Sequence, residues 1–182
     1  TRLVGSEMCI RDRLVAYNYF SGEPVTGLAE GRPLFVRSAG DKFSLANFMR
    51  AHLHAAVGVL KIGNDILFKE EKVAVDRITG HGGLFKTPGV GQRILAAALN
   101  SPISVMETAG EGGAWGIALL ASFLVNNEAH LSLPDFLDSR VFAGNKGTEV
   151  APTPEDVAGF NAYIENYKAG LGIEQAAVKW KK

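Results

Sequence analysis

The stretch ITGHGGLFKTPGVGQ, residues 78–92, decides how the rest of this chain is read. A largely apolar run over residues 73–79 enters Gly80, His81, Gly82 and Gly83. Lys86 and Thr87 follow, and Pro88 is placed to open a helix. A strand that ends in glycines and turns into a helix start has the makings of a phosphate-binding corner. Glycine takes backbone angles, and allows a close approach, that side-chained residues do not tolerate. The helix N-terminus adds unpaired N–H groups and the positive end of a dipole. A purely structural turn is the competing reading of the same residues.

A dinucleotide site is the first specific option, because Glu107 closes the next strand where a ribose-binding acid would sit. Two details count against it. The third glycine of that fingerprint, needed for close helix–strand packing, falls at Phe85, and Pro88 delays the helix start. No Gly-Lys-Ser/Thr follows at P-loop spacing either.

Length and composition narrow the field further. The chain has 182 residues, enough for one domain with a real core. Its 19 basic and 19 acidic residues balance, so no electrostatic footprint points to nucleic acid or to an anionic membrane. No apolar run approaches the ~20 residues that span a bilayer. The single cysteine, Cys9, excludes a disulfide within the chain, and a cytoplasmic location is expected. The string LVGSEMCIRD at residues 3–12 resembles the conceptual translation of a sequencing adaptor. On that reading residues 1–13 are a non-native leader, the native gene continues upstream of Leu14, and the domain is residues 14–182. An ordinary N-terminal tail is the other reading.

Along the chain, residues 14–20 predict a buried strand, and residues 25–42 a loop with a short apolar Leu34-Phe35-Val36. Residues 43–69 carry apolar positions three and four apart and predict a long helix. Residues 73–79 predict a strand, 88–99 a helix with Asn100 as its cap, and 102–106 a second strand. Residues 111–125 are apolar on every side and predict a buried helix. Residues 131–153 read as irregular with a turn of helix after Pro134, and residues 154–175 as a last helix. Thr153 would cap that helix, with Pro154 at its first position and Glu155 and Asp156 at the positive dipole end. The order strand, helix, strand, helix, strand, helix argues an α/β fold.

With the elements in place, Gly80-His81-Gly82-Gly83-Leu84-Phe85-Lys86-Thr87-Pro88 resembles the Gly-Gly-Gly-Ala-Lys-Ser-Pro adenosine motif of the FGGY carbohydrate kinases. Glu111-Gly112-Gly113-Ala114-Trp115-Gly116-Ile117-Ala118-Leu119-Leu120-Ala121 is similar to the family's Glu-x-x-Ala-x-Gly-Ala-Ala-Leu-Leu-Ala helix. Upstream, Tyr19-Phe20-Ser21-Gly22-Glu23 is similar to a Tyr-Leu-Ser-Gly-Glu stretch of xylulose and ribulose kinases. The resemblance covers residues 14–178. It implies an actin-like, ribonuclease-H-like ATPase fold, of which this chain is the later part of the C-terminal domain.

The resemblance also implies a function: transfer of the ATP γ-phosphoryl to a hydroxyl of a ketopentose, ribulose or xylulose, with ATP and Mg²⁺ as cofactors. The sugar, and the aspartate that acts as general base, would lie in a missing N-terminal domain of the same polypeptide, leaving this piece inactive by itself. Gly80, Gly82, Gly83, Lys86 and Thr87 are the residues the motif assigns to the nucleotide, with the bare backbone of Gly82 and Gly83 against ribose and α-phosphate. Gln92 is expected to face solvent or the nucleotide, and Gly112, Gly113 and Gly116 to allow close helix packing. His81 stands where the motif has glycine and reads as a surface turn residue. His52 and His54 lie two apart on a helix and face different ways, a poor metal pair. A homodimer remains open, as do two other functions: a non-catalytic actin-like nucleotide-binding module, and a Rossmann-type oxidoreductase.

Overall fold

A computed structural model describes residues 14–75, 77–107, 109–127, 130–143 and 147–180; the expected leader, with Cys9, lies outside the described residues. The chain divides into two units. One takes Thr1–Asp76, Ile94–Asn100 and Pro152–Lys182, the other Arg77–Arg93 and Ser101–Ala151.

In the first unit, β1 (Val15–Tyr17) pairs antiparallel with β2 (Leu34–Val36), with Ala16 opposite Phe35. All three β1 residues are buried. Helix α1 (Leu45–Asp65) starts where Ser44 accepts a hydrogen bond from the Asn47 N–H, and it relaxes into a π-turn over Ile66–Glu70. Tyr17, Phe160, Ile164 and Tyr167 form the centre of the core. Burial of a large apolar side chain of this kind stabilises by about 1.5–3 kcal/mol. The Tyr17 hydroxyl donates to the Tyr167 carbonyl at 2.7 Å, and the Tyr167 hydroxyl donates to Tyr19 at 2.5 Å. Burial therefore pushes the Tyr17 phenol up to about 12, helped by the neighbouring charges of Tyr19 and Glu174.

Thr153 caps α5 (Pro154–Ala169) by accepting from the Asp156 N–H, as the sequence predicts. The expected single helix over residues 154–175 is two helices, because α5 stops at Gly170 and α6 (Leu171–Trp180) begins after it. A β-carbon at Gly170 would sit 2.2 Å from the Tyr17 hydroxyl oxygen, so the chain bends where the tyrosine needs room. In α6, Glu174 is fully buried and accepts from the Arg32 N–H at 2.5 Å; burial holds its carboxyl above the ordinary carboxylate range.

The second unit is built on a three-stranded sheet in the order β3-β4-β5, from Ile78–Gly80, Ile103–Val105 and Thr148–Val150. β3 and β4 run parallel, β4 and β5 antiparallel. Ile103 is fully buried, whereas the row Thr79, Ser104, Glu149 lies on the opposite face, where the Ser104 hydroxyl donates to the Glu149 carboxylate at 2.9 Å. The strand expected over residues 73–79 is shorter than its sequence. Only Ile78–Gly80 meets a partner, while Val73 and Val75 are exposed and Asp76 lies outside the described residues. β-propensity makes a strand only where another strand completes the ladder.

Helix α2 (Val90–Leu99) follows β3, and α3 (Gly112–Asn126) follows β4; a short α4 (Leu133–Phe136) is capped by Ser132. The expectation that residues 111–125 are buried fails. No residue of α3 is buried, and Leu124 and Val125 are 82% and 80% exposed. Trp115 meets Phe142 and Phe123 meets Phe136, which occupies only one side of the helix. Apolarity all round reports what a helix can bury, not whether the described residues supply the cover.

Candidate functional site

The glycine corner is shaped by three different demands. Gly80 ends β3 with its α-carbon against the Phe85 ring, and a β-carbon there would land 2.2 Å from Phe85 Cζ. Gly82 has φ 103 and ψ −175, a backbone region that is essentially glycine-only. At Gly83, as at Gly82, an added β-carbon would meet nothing within 4 Å, so this backbone is bare and open on its outer side. Residues Gly83–Lys86 then make one 3-10 turn, tied by the Phe85 N–H to the Gly82 carbonyl at 3.1 Å.

Pro88 does not open the following helix. Gly89 takes φ 76, which no helical residue adopts, so α2 begins at Val90, with the Arg93 N–H reaching the Gly89 carbonyl at 3.0 Å. Thr87 is extended and exposed just before that turn. Lys86 is committed elsewhere: its Nζ lies 2.6 Å from Glu111 Oε1, at the start of α3. The hydrogen bond and charge of Lys86 hold the Glu111 carboxyl below the ordinary carboxylate range. Both side chains are exposed, so the pair is of the kind that contributes little alone.

A cavity of about 500 Å³ is lined by Phe85, Lys86, Pro88, Met106, Glu107 and Glu111, among others, a size suited to a small molecule. Of the five residues assigned to the nucleotide, only Lys86 lines it. His81 lines a second cavity of about 410 Å³ with Arg77, Thr79, Ser104 and Asp138. The structure thus keeps Gly80, Gly82, Gly83, Lys86 and Thr87 on one continuous corner but turns Lys86 and His81 to different hollows.

Gln92 is not solvent-facing, although it is among the residues that line the cavity of about 500 Å³. It is 5% exposed, and its amide donates to the carbonyls of Ile103 at 3.1 Å and Thr148 at 2.9 Å, fastening α2 to β4 and β5. A signal was present in the sequence: Gln92 shares a helical stripe with the buried Leu95 and Ala96. Of the three packing glycines only Gly112 is crowded, with a β-carbon there 3.1 Å from His81 Nδ1; Gly113 and Gly116 face open space. His52 stacks on Phe35 and His54 meets Tyr163, so the two histidines do serve different neighbours. Among the described residues no group of three or more His, Cys, Asp or Glu could hold a metal ion, and no helix is long and apolar enough to cross a membrane.

A parallel strand pair, a glycine corner with a bare outer face and a helix after each strand of the pair define an α/β class of domain. The family model of the C-terminal domain of the FGGY carbohydrate kinases matches residues 6–125, and the chain belongs to that family. Among solved structures, Plasmodium falciparum glycerol kinase with ADP matches with a TM-score of 0.65 at 16% identity, over 90% of this chain and 31% of that one. The xylulose kinase of Rhodospirillum rubrum matches with a TM-score of 0.55 at 17% identity, again over 90% of this chain and 31% of the other. The chain therefore spans about a third of the length of these structures. Its fold is the expected α/β one, that of actin-like sugar-kinase C-terminal domains. Membership of this family removes the Rossmann-type oxidoreductase reading. No curated protein matches the sequence.

Proposed function

We propose that residues 14–182 are the ATP-binding part of a carbohydrate kinase that transfers the ATP γ-phosphoryl to a hydroxyl of a ketopentose of the ribulose or xylulose class. The observation that carries the reading is the open backbone at Gly82 and Gly83, where nothing within 4 Å occupies the place of a side chain. It stands in a chain of the carbohydrate-kinase family, and the glycerol kinase of the same fold is described with ADP.

ATP, when bound, supplies the phosphoryl group; this chain's part is to hold and orient it. Gly80 turns the strand end, Gly82 and Gly83 place bare backbone against ribose and α-phosphate, where a β-carbon would intrude, and Lys86 and Thr87 border the nucleotide. The described residues offer Mg²⁺ no ligand set of their own. The general base and the sugar pocket would belong to the part of the fold that this chain does not span. The Tyr19 to Glu23 stretch is what favours a ketopentose over other sugars.

Calorimetric titration of the chain with ATP and with NAD tests the first half of the reading. ATP should bind and NAD should not; a preference for NAD, or no heat with either, overturns it. For the second half, a kinase built around this domain should phosphorylate ribulose or xylulose faster than glycerol. The reverse order moves the substrate class.

A further inference from the structure

Four consecutive residues ahead of and opening α3 each meet the glycine corner. The Ala109 carbonyl accepts from the Gly82 N–H at 2.7 Å. Over Gly110 lies the stem of Lys86, and a β-carbon on that glycine would be 3.2 Å from Lys86 Cγ. Glu111 holds the Lys86 ammonium at 2.6 Å, and Gly112 takes the His81 ring. Residues 109–112 thus clasp residues 81–86 from one side, while the outer side of Gly82 and Gly83 stays open.

We propose that this segment is the positioning element of the nucleotide corner, and that Glu111, acting through Lys86, sets the corner's geometry. The inference rests on the nucleotide-binding reading above. Two adjacent glycines have more backbone freedom than any other pair, so a backbone surface meant to receive a ligand must be held in place beforehand. The Gly82–Ala109 hydrogen bond fixes the peptide at its unusual φ, and the Lys86–Glu111 bridge fixes the far end of the turn. In this arrangement Lys86 is a strut. Its charge is answered by Glu111, and its contribution to binding runs through the backbone rather than through contact with phosphate. Glu111 and Lys86 are positioning residues.

The test compares Lys86→Met, Glu111→Gln, the two together, and the reversed pair Lys86→Glu with Glu111→Lys, all in the full chain. Amide hydrogen exchange at Gly82 is read without nucleotide, and affinities are read for ATP and for adenosine, which lacks phosphates. Each single variant should speed Gly82 exchange and weaken both ligands equally, about two- to five-fold, as an exposed ion pair allows. The double variant should be no worse than either single one, and the reversed pair should recover most of the loss. If Lys86→Met weakens ATP and spares adenosine, Lys86 is a phosphate ligand and the proposal is wrong. Unchanged Gly82 exchange in every variant overturns it as well. A wild-type chain that binds neither ligand sinks the nucleotide reading, while the exchange pattern still decides separately whether the brace exists.

Discussion

Gly82 and Gly83 stand side by side, yet they are glycines for different reasons. Gly82 holds φ 103, so an alanine there is strained although space is free; the cost of such a conformation is about 1–3 kcal/mol. Gly83 has no positive φ and no neighbour within 4 Å of an added β-carbon. Gly83→Ala should therefore leave urea stability within about 0.5 kcal/mol of the parent, while Gly82→Ala should lower it. Both should weaken ATP binding, because a methyl group at either position fills the space assigned to the nucleotide. A Gly83→Ala chain that keeps full stability and full ATP affinity would place the nucleotide elsewhere. The contrast separates the backbone's requirement from the ligand's, which the motif by itself could not do.

At the scale of elements, the break between α5 and α6 shows how a neighbour can reverse a local rule. Gly170 has φ −87, an angle alanine accepts, and Gly→Ala at such a site ordinarily stabilises by about 0.4–1 kcal/mol. Here the new methyl group would meet the Tyr17 hydroxyl at 2.2 Å and push it off the Tyr167 carbonyl. Gly170→Ala should then destabilise, by about 1–3 kcal/mol for a lost buried hydrogen bond. Combined with Tyr17→Phe, the effects should fall short of additive, because the clash is relieved. Urea unfolding of the three variants measures this, and a stabilised Gly170→Ala chain would show that the tyrosine does not set the break. The same logic governs what was legible beforehand. The Thr153 cap, the α1 periodicity and the glycine corner depend on residues near in sequence, and they were readable. The end of α5, the shortness of β3 and the exposure of α3 depend on Tyr17, on β4 and on cover that the described residues do not supply. At the candidate site the glycines were readable as a cluster following a strand, and Gly82 answers a local backbone demand at φ 103. The Lys86–Glu111 bridge and the Gln92 anchor join residues far apart in sequence, and helical spacing indicated only Gln92.

For the whole molecule the 19 positive and 19 negative side chains cancel, so near neutrality its pH response is set by individual buried groups rather than by net charge. His54 is the main one. It is buried between Phe160 and Tyr163, and burial, aided by the nearby Arg50 charge, lowers its pKa from 6.5 to about 4. The imidazole is neutral in the fold and takes a proton readily only when unfolded. Below pH 6.5 the unfolded chain therefore binds more protons, and stability falls as pH drops from about 6.5 to about 4, by about 3 kcal/mol at most. Glu174 works in the opposite sense. Its raised pKa favours the protonated carboxyl in the fold, so its contribution declines as pH rises past the ordinary carboxylate range. Replacing His54 with leucine removes the first effect and keeps the second. Urea midpoints of the parent should drop steadily between pH 6.5 and 4.5, whereas those of His54→Leu should stay level or rise. Parallel pH profiles for the two chains would mean that His54 reaches solvent or a partner in the folded state, and that acid unfolding starts elsewhere.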